Sequence, residues 1–332
     1  MTQEITQDSI FPREKETIKK VEATVKKDVP IGYIPVKFAS GDKFGPAVLH
    51  FRNYTMDELL HLGAATNETV LHDLVEKVLN RMVFEDFDCS NLPPSNITQI
   101  LMTIYANFWG NVLYNMEFFI DENDPEKGTD KVDIQIGKIK GLELDKKFKV
   151  PFSILDPVTE YKVKFDITRV KHLFFTERYV KEYFKEQEES FEMLKHKLAL
   201  RERLENSKDE LQREQAKDIL IPEEEMAKYN ELQKEESMMY MRILQCQLID
   251  SVNGKKLETI EEKLDAFKNS VDISTWKEYK ETMDKYPFGI DSKYSFIYND
   301  EKITRRFSFR FMDFIPAVDQ KSNRKYVVSF DD

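Results

Sequence analysis

Five histidines, two cysteines and one cluster of arginines are the side chains of this sequence best suited to chemistry, and their spacing limits what they can do. The histidines are His50, His61, His72, His172 and His196. His61 and His72 fall on separate predicted helices, and no H-E-x-x-H pair occurs, so one helix cannot present two imidazoles to zinc. A metal site adding Cys89 to these two is the sharpest functional reading. Surface or capping histidines are the plainer one, and the spacing favours it. Cys89 itself lies in the acidic run FEDFDCSN, where neighbouring carboxylates oppose the thiolate that a nucleophile requires. The Asp/Glu run at 121–126 offers oxygen atoms of the kind Ca²⁺ takes, but it lacks the twelve-residue loop pattern and reads as a solvated linker. Glu223, Glu224 and Glu225 follow Pro222, where the helix dipole favours first-turn carboxylates, so they are not read as an acid–base pair.

Arg305, Arg306 and Arg310 interleave with Phe307, Phe309 and Phe311 in ITRRFSFRF, as in single-strand binders that stack bases on rings. The alternative is a strand with the three phenylalanines inside and Ser308 and Arg310 outside. A formal net charge of -11 leaves no wider cationic surface for phosphates, which favours that alternative and makes nucleic acid an unfavoured partner. Met238, Met239 and Met241 read as gap-filling core before a partner groove. No G-x-x-x-x-G-K-[ST], G-x-G-x-x-G or G-x-S-x-G motif is present, so phosphate-loop, dinucleotide and serine-hydrolase chemistry have no anchor. No catalytic, cofactor-binding or metal-ligating residue is assigned, no cofactor is expected, and the chain is not read as an enzyme.

The elements that would position these residues follow from periodicity. ITQILMTIYANFWGNVLYNMEFFI, residues 97–120, carries Glu117 as its single full charge. Its length admits a membrane span, but Gln99, Thr103, Asn107, Asn111 and Asn115 recur every fourth residue and form one polar ridge. Amides on such a ridge are costly in lipid, so the stretch predicts one helix in a protein core, with Trp109 buried and no membrane span. Before it, YIPVKFAS and AVLHFRNYT read as paired strands. Thr55 and Glu58 form a capping box for a first helix, and Thr66 or Asn67 caps a second with the stripe Val70, Leu71, Leu74, Val78, Leu79 and Met82. Pro93 and Pro94 stop it, and Asn96 caps the next.

Beyond the linker at 121–130, alternation in KVDIQIGKI and EYKVKFDITRV predicts a small antiparallel sheet over 131–170. From Thr176 the period becomes helical: Val180, Phe184, Gln187, Phe191, Leu194 and Leu198 form a short heptad seam. ENSKDELQREQAKD is frayed helix or loop. Pro222 opens a returning helix, which Asn253–Gly254 ends, so 171–253 reads as a helical hairpin. Helices at 257–269 and 274–286 follow, then a β-hairpin around Asp300. The fold class is α+β, with an arm at 1–30, a strand–helix domain at 31–120, a small β region at 131–170, the hairpin at 171–253, helices plus β-hairpin at 254–316, and a tail at 317–332.

At 332 residues the chain can bury a sizeable core, and 12% aromatic residues set it apart from a disordered chain. Two cysteines, Cys89 and Cys246, build neither a disulfide framework nor a four-thiolate zinc site. MTQEITQDSIF has no basic n-region followed by an apolar run, so the expectation is a protein made in a reducing cytoplasm.

Two stretches together carry a resemblance. They are VLHFRNYTMDELLHLGAATNETVLHDLVEKVLNRMV with ITQILMTIYANFWGNVL, and the closing DISTWKEYKETMDKYPFGIDSKYSFIYNDEKITRRFSFRFMDFIP. Over roughly 31–315 their order and spacing resemble the baseplate hub and hub-assembly family of T-even-type contractile-tailed bacteriophages, the myoviruses. The resemblance implies a strand–helix unit, an intervening β region and a helical region ending in a sheet. It implies a non-enzymatic structural component of the tail baseplate, found in the virion after synthesis in the host cytoplasm. Its partners would be other baseplate and tail proteins in multiple copies. Some relatives carry cysteine pairs in the last hairpin; here Tyr294, Ser295, Phe296 and Asn299 stand there, so no zinc ribbon is carried over. The alternatives are a transient tail-assembly chaperone, a single-stranded nucleic-acid-binding accessory and, most distantly, a metal-dependent hydrolase.

Overall fold

The computed structural model describes residues 28–316 apart from 65–69, 123, 157, 159 and 208. The expected tail at 317–332, nearly all of the arm and the caps Thr66 and Asn67 therefore lie outside the described residues. The fold is α+β, in two compact units that the chain visits more than once. One holds Leu155–Phe165 and His172–Ile273; the other holds, among the described residues, 28–154, 166–171 and 274–316. The stretch expected as one region at 254–316 is thus shared between them.

The second of these units opens with β1 (Ile34–Lys37) and β2 (Val48–Phe51), antiparallel with Ile34 opposite Phe51. Val36, Leu49 and Phe51 are fully buried, as the two-residue period of a half-buried pair requires. The capping box then forms at α1 (Met56–Ala64): Thr55 N donates to Glu58 Oε2 at 2.8 Å and Glu58 N to Thr55 Oγ1 at 3.3 Å. Helix α2 (70–82) turns π-helical over Asp73–Leu79 and buries Leu74, Val75, Val78 and Leu79. Helix α3 (Pro94–Phe108) is capped by Pro93. Asn96 is not the expected cap. It lies within the first turn, fully buried, and its Nδ2 donates to Ser40 Oγ at 2.8 Å.

The single helix expected over 97–120 is two elements. Helix α3 closes when Trp109 N and Gly110 N both bond to Tyr105 O, Gly110 takes φ +130°, and β3 (Val112–Phe119) begins. A glycine at positive φ ends a helix, and the β-branched and aromatic residues after it favour a strand. The four-residue ridge beyond Asn107 is coincidence: Asn111 Oδ1 accepts from Gly137 N, and Asn115 has φ 56° at a bulge in β3. Trp109 is 37% exposed, not buried, with its Nε1 donating to Asn53 Oδ1 at 2.9 Å. No helix among the described residues is long and apolar enough to cross a membrane.

Most strands of the small sheet expected over 131–170 take partners outside that span. β4 (Thr129–Gln135) pairs with β3, so 121–128 is a hairpin connection rather than a linker. β5 (Gly141–Leu142) pairs with β10 (Gly289–Ile290). After β6 (Phe152–Leu155), β7 (Lys162–Phe165) pairs with β8 (Ile249–Val252) within the unit that holds both, and β8 with β9 (Lys255–Lys256). Each run is too short to cover its own apolar face, so it pairs where that face is covered: Val163, Phe165 and Ile249 are all fully buried. β11 (Lys293–Tyr298) and β12 (Glu301–Arg306) form the expected hairpin, with Asn299 and Asp300 both at positive φ as a two-residue primed turn requires.

The helical hairpin forms in the other unit. Helix α4 (Val170–Ser190) breaks at Phe191, and α5 (Glu192–Glu205), α6 (Glu210–Lys217) and α7 (Glu223–Gln247) follow, so part of the polar run expected as frayed is helix. Phe175 packs with Ile243 and Cys246, Val180 and Phe184 with Leu232, and Phe191 against Tyr229. Contacts descend α7 as they ascend α4, so the two run antiparallel. Gln187, expected in the seam, is exposed, and Glu188, four residues after the buried Phe184 on the same face of α4, is partly buried instead. Asn253–Gly254 does not end α7. It is the positive-φ turn between β8 and β9. Helices α8 (Ile260–Ser270) and α9 (Ile273–Lys285) stand where the two short helices were expected.

Candidate functional site

One polar cluster is built by α1 and the π-helical turn of α2, which bring His61 and His72 to one carboxylate. His61 Nε2 is 3.4 Å from Asp73 Oδ2, and His72 Nδ1 is 3.8 Å from Asp73 Oδ1. His72 Nε2 also meets Glu76 Oε2 at 3.1 Å, and Lys77 Nζ meets Asp73 Oδ1 at 2.7 Å. The Lys77 hydrogen bond holds the Asp73 carboxyl below its ordinary value against the opposing effect of burial, and both imidazoles add to it. An Asp already neutralised by a lysine is a weak base. Among the described residues no three His, Cys, Asp or Glu side chains are grouped to hold a metal ion. The π turn is itself a feature often found at functional sites, and here it presents Asp73 to both histidines and Glu76 to His72.

Cys89 does not join them. It is fully buried, its backbone N donates to Asn80 Oδ1 at 2.8 Å, and burial, then Asp88, push its thiol up to about 12. Burial likewise pushes Cys246 up to about 12. The other histidines are scattered: His50 Nδ1 lies 2.6 Å from Glu85 Oε1, His172 is buried, and His196 is exposed. In the 121–126 run, Asp121 and Asp124 are met by Lys127 at 2.7 and 3.6 Å.

Two of the three arginine side chains are engaged in the fold. Arg305 Nε donates to Phe119 O at 3.1 Å and its Nη2 to Ile120 O. Arg310 Nη2 is 3.2 Å from Asp313 Oδ1. The strand stops at Arg306, yet the inside–outside alternation continues: Phe307 is buried in a cluster with Phe118, Tyr294 and Phe296, while Ser308 and Arg310 are exposed. Of the three methionines expected in the core, Met239 packs there, but Met238 and Met241 are 64% and 53% exposed. A helix side three residues wide cannot be wholly covered by one neighbour.

Two clusters escaped sequence reading. Arg52 and Glu58 form a two-bond ion pair at the start of α1. In the hairpin, Glu236 of α7 meets Glu188 of α4, whose Oε2 is 3.4 Å from Lys195 Nζ. The second had a signal: Glu236 stands at a heptad position, four after Leu232 and three before Met239. No protein-family model, curated protein or solved structure matches the chain.

Proposed function

We propose that the chain is a structural component of a bacteriophage tail baseplate, in the hub region, acting through protein–protein assembly with other baseplate and tail proteins in multiple copies. The observation that carries this reading is the apolar surface of the helical-hairpin unit. Met193, Leu211, Met238 and Met241 are 71%, 64%, 64% and 53% exposed. Single exposed apolar residues are ordinary, but Met238 and Met241 stand three apart on one face of α7, an apolar pair that a partner would cover. The sequence resemblance supports the same reading. Each stable joint would need about 800 Å² per partner. Under this reading the protein is made in the host cytoplasm, carried in the virion, and performs no chemistry.

A transient assembly chaperone would use the same surface and leave before the particle matures. Mass spectrometry of purified intact particles separates the two: the protein's presence supports the component, and its absence transfers the reading to the chaperone. Replacing Met238 and Met241 together by Glu should leave the helical content unchanged and reduce incorporation into particles. Normal assembly with that variant would remove the surface from the proposal. The nucleic-acid reading keeps less support, because Phe307 faces the core and Arg305 is spent on backbone carbonyls.

A further inference from the structure

Along α7 the seam that faces α4 runs Leu232, Glu236, Met239, Ile243 and Cys246, at intervals of four, three, four and three. That is a heptad, and four of its five positions are apolar. Leu232 packs with Val180 and Phe184, Ile243 and Cys246 pack with Phe175, and Met239 touches both groups. Glu236 fills the remaining position. Its Oε1 is buried and has no hydrogen-bond partner among the described residues. Its carboxyl lies beside that of Glu188 of α4, within reach of a hydrogen bond when one of the two is protonated, and Glu188 is paired to Lys195 of α5 at 3.4 Å. Tyr240, on the next turn of α7, Tyr229, which packs against Phe191, and Cys246 are further titratable groups in this packing, and burial holds the Tyr240 phenol protonated.

Two carboxyl groups in hydrogen-bond contact share a proton between them. With one proton, Glu188, Glu236 and Lys195 sum to zero charge; with none, the seam carries one uncompensated negative charge. A partly buried site favours the neutral arrangement. Burial first, and then Glu188, push the Glu236 carboxyl up to about 7, with Lys195 opposing them. The trio also straddles the backbone break. Helix α4 ends at Ser190, Phe191 (φ -103°, ψ 9°) interrupts it, and α5 starts at Glu192. Glu188 stands before the break and Lys195 after it, so their ion pair bridges it.

We propose that Glu188, Glu236 and Lys195 form a proton-operated clasp that holds the α4–α5 break against α7, closed when the carboxyl pair holds one proton and loosened when it holds none. Folded Glu236 keeps its proton to a higher pH than the ordinary carboxyl at 4.5. Its contribution is therefore complete below about 4.5 and is lost as pH rises through about 7.

The test is carboxyl-carbon NMR together with amide hydrogen exchange on the full chain, corrected for intrinsic rates. Glu236 should titrate near 7. Protection around residues 184–195 and 229–240 should fall by about tenfold between roughly pH 5.5 and 8, a discounted figure because the trio is partly in water. Glu236→Gln should abolish that fall and keep the protected state at pH 8. Lys195→Met should move the titration to higher pH. A Glu236 titration near 4.5 overturns the proposal, and so does an undiminished pH-dependent loss of protection in Glu236→Gln. If that variant does not fold, the wild-type carboxyl titration decides.

Discussion

Arg52 and Glu58 meet through two parallel hydrogen bonds, Nη1 to Oε2 at 2.9 Å and Nη2 to Oε1 at 2.7 Å. The same Oε2 accepts the Thr55 N–H, so one carboxylate caps α1 and ties it to the residue just after β2. Burial alone would raise the Glu58 carboxyl, but the hydrogen bonds from Arg52 and Thr55 outweigh it and hold it below its ordinary value.

Arg52→Ala should therefore cost about 2–4 kcal/mol, less than orphaning a fully buried charge because Arg52 keeps 27% of its side chain exposed. The pH dependence has a definite sign. A lowered carboxyl contributes fully above its ordinary value of 4.5 and loses that contribution as pH falls below it. Urea denaturation at about pH 7 and pH 3 should show a large gap between wild type and Glu58→Gln at the higher pH and a small one at the lower. Equal gaps would mean that the ionised pair is not what stabilises the junction.

Gly110 permits the change from α3 to β3. A Cβ there would meet nothing within 4 Å, so the penalty for Gly110→Ala is conformational alone, at φ +130°. We expect a loss of about 1–3 kcal/mol. Unchanged thermal stability would show that the junction relaxes to an ordinary backbone.

Arg305 and Arg306 are neighbours with different work. Arg305→Ala removes the donors to Phe119 O and Ile120 O and should cost about 1–3 kcal/mol. Arg306 uses its backbone N–H toward Glu122, so Arg306→Ala should stay within about 0.5 kcal/mol. Salt-sensitive retention on single-stranded DNA that both variants abolish equally would restore the nucleic-acid reading.

Both thiols should be inert in the folded chain. With Cys89 and Cys246 pushed up to about 12, alkylation at about pH 8 should be slow, and both should react on denaturation. Rapid modification of the native protein at Cys246 would show that the α4–α7 core opens readily.

Interactions between residues three or four apart were legible in the sequence, because their geometry is fixed by the backbone alone. The Thr55–Glu58 box, the first-turn glutamates of α7 and the Asn299–Asp300 turn needed no partner from elsewhere. The heptad of the hairpin was legible for the same reason, although Glu188, four residues after Phe184, rather than Gln187 lies beside the seam. A polar ridge at every fourth position was a weaker guide. It persisted past Gly110 by chance, while positive φ and the apolar faces of β3 and β4 decided the strand.

The tertiary structure alone decided which distant segments meet. β5 pairs with β10 and β7 with β8 because short strands gain little by themselves and pair where their apolar faces are covered. His61 and His72 converge on Asp73 because α1 packs against a π turn, a geometry that helical periodicity does not announce. Glu236 stands at heptad spacing from Leu232 and Met239, but its raised proton affinity depends on Glu188 and Lys195 arriving from two other helices. Burial and charge pairing are properties of neighbours in space, and only the fold assigns those neighbours.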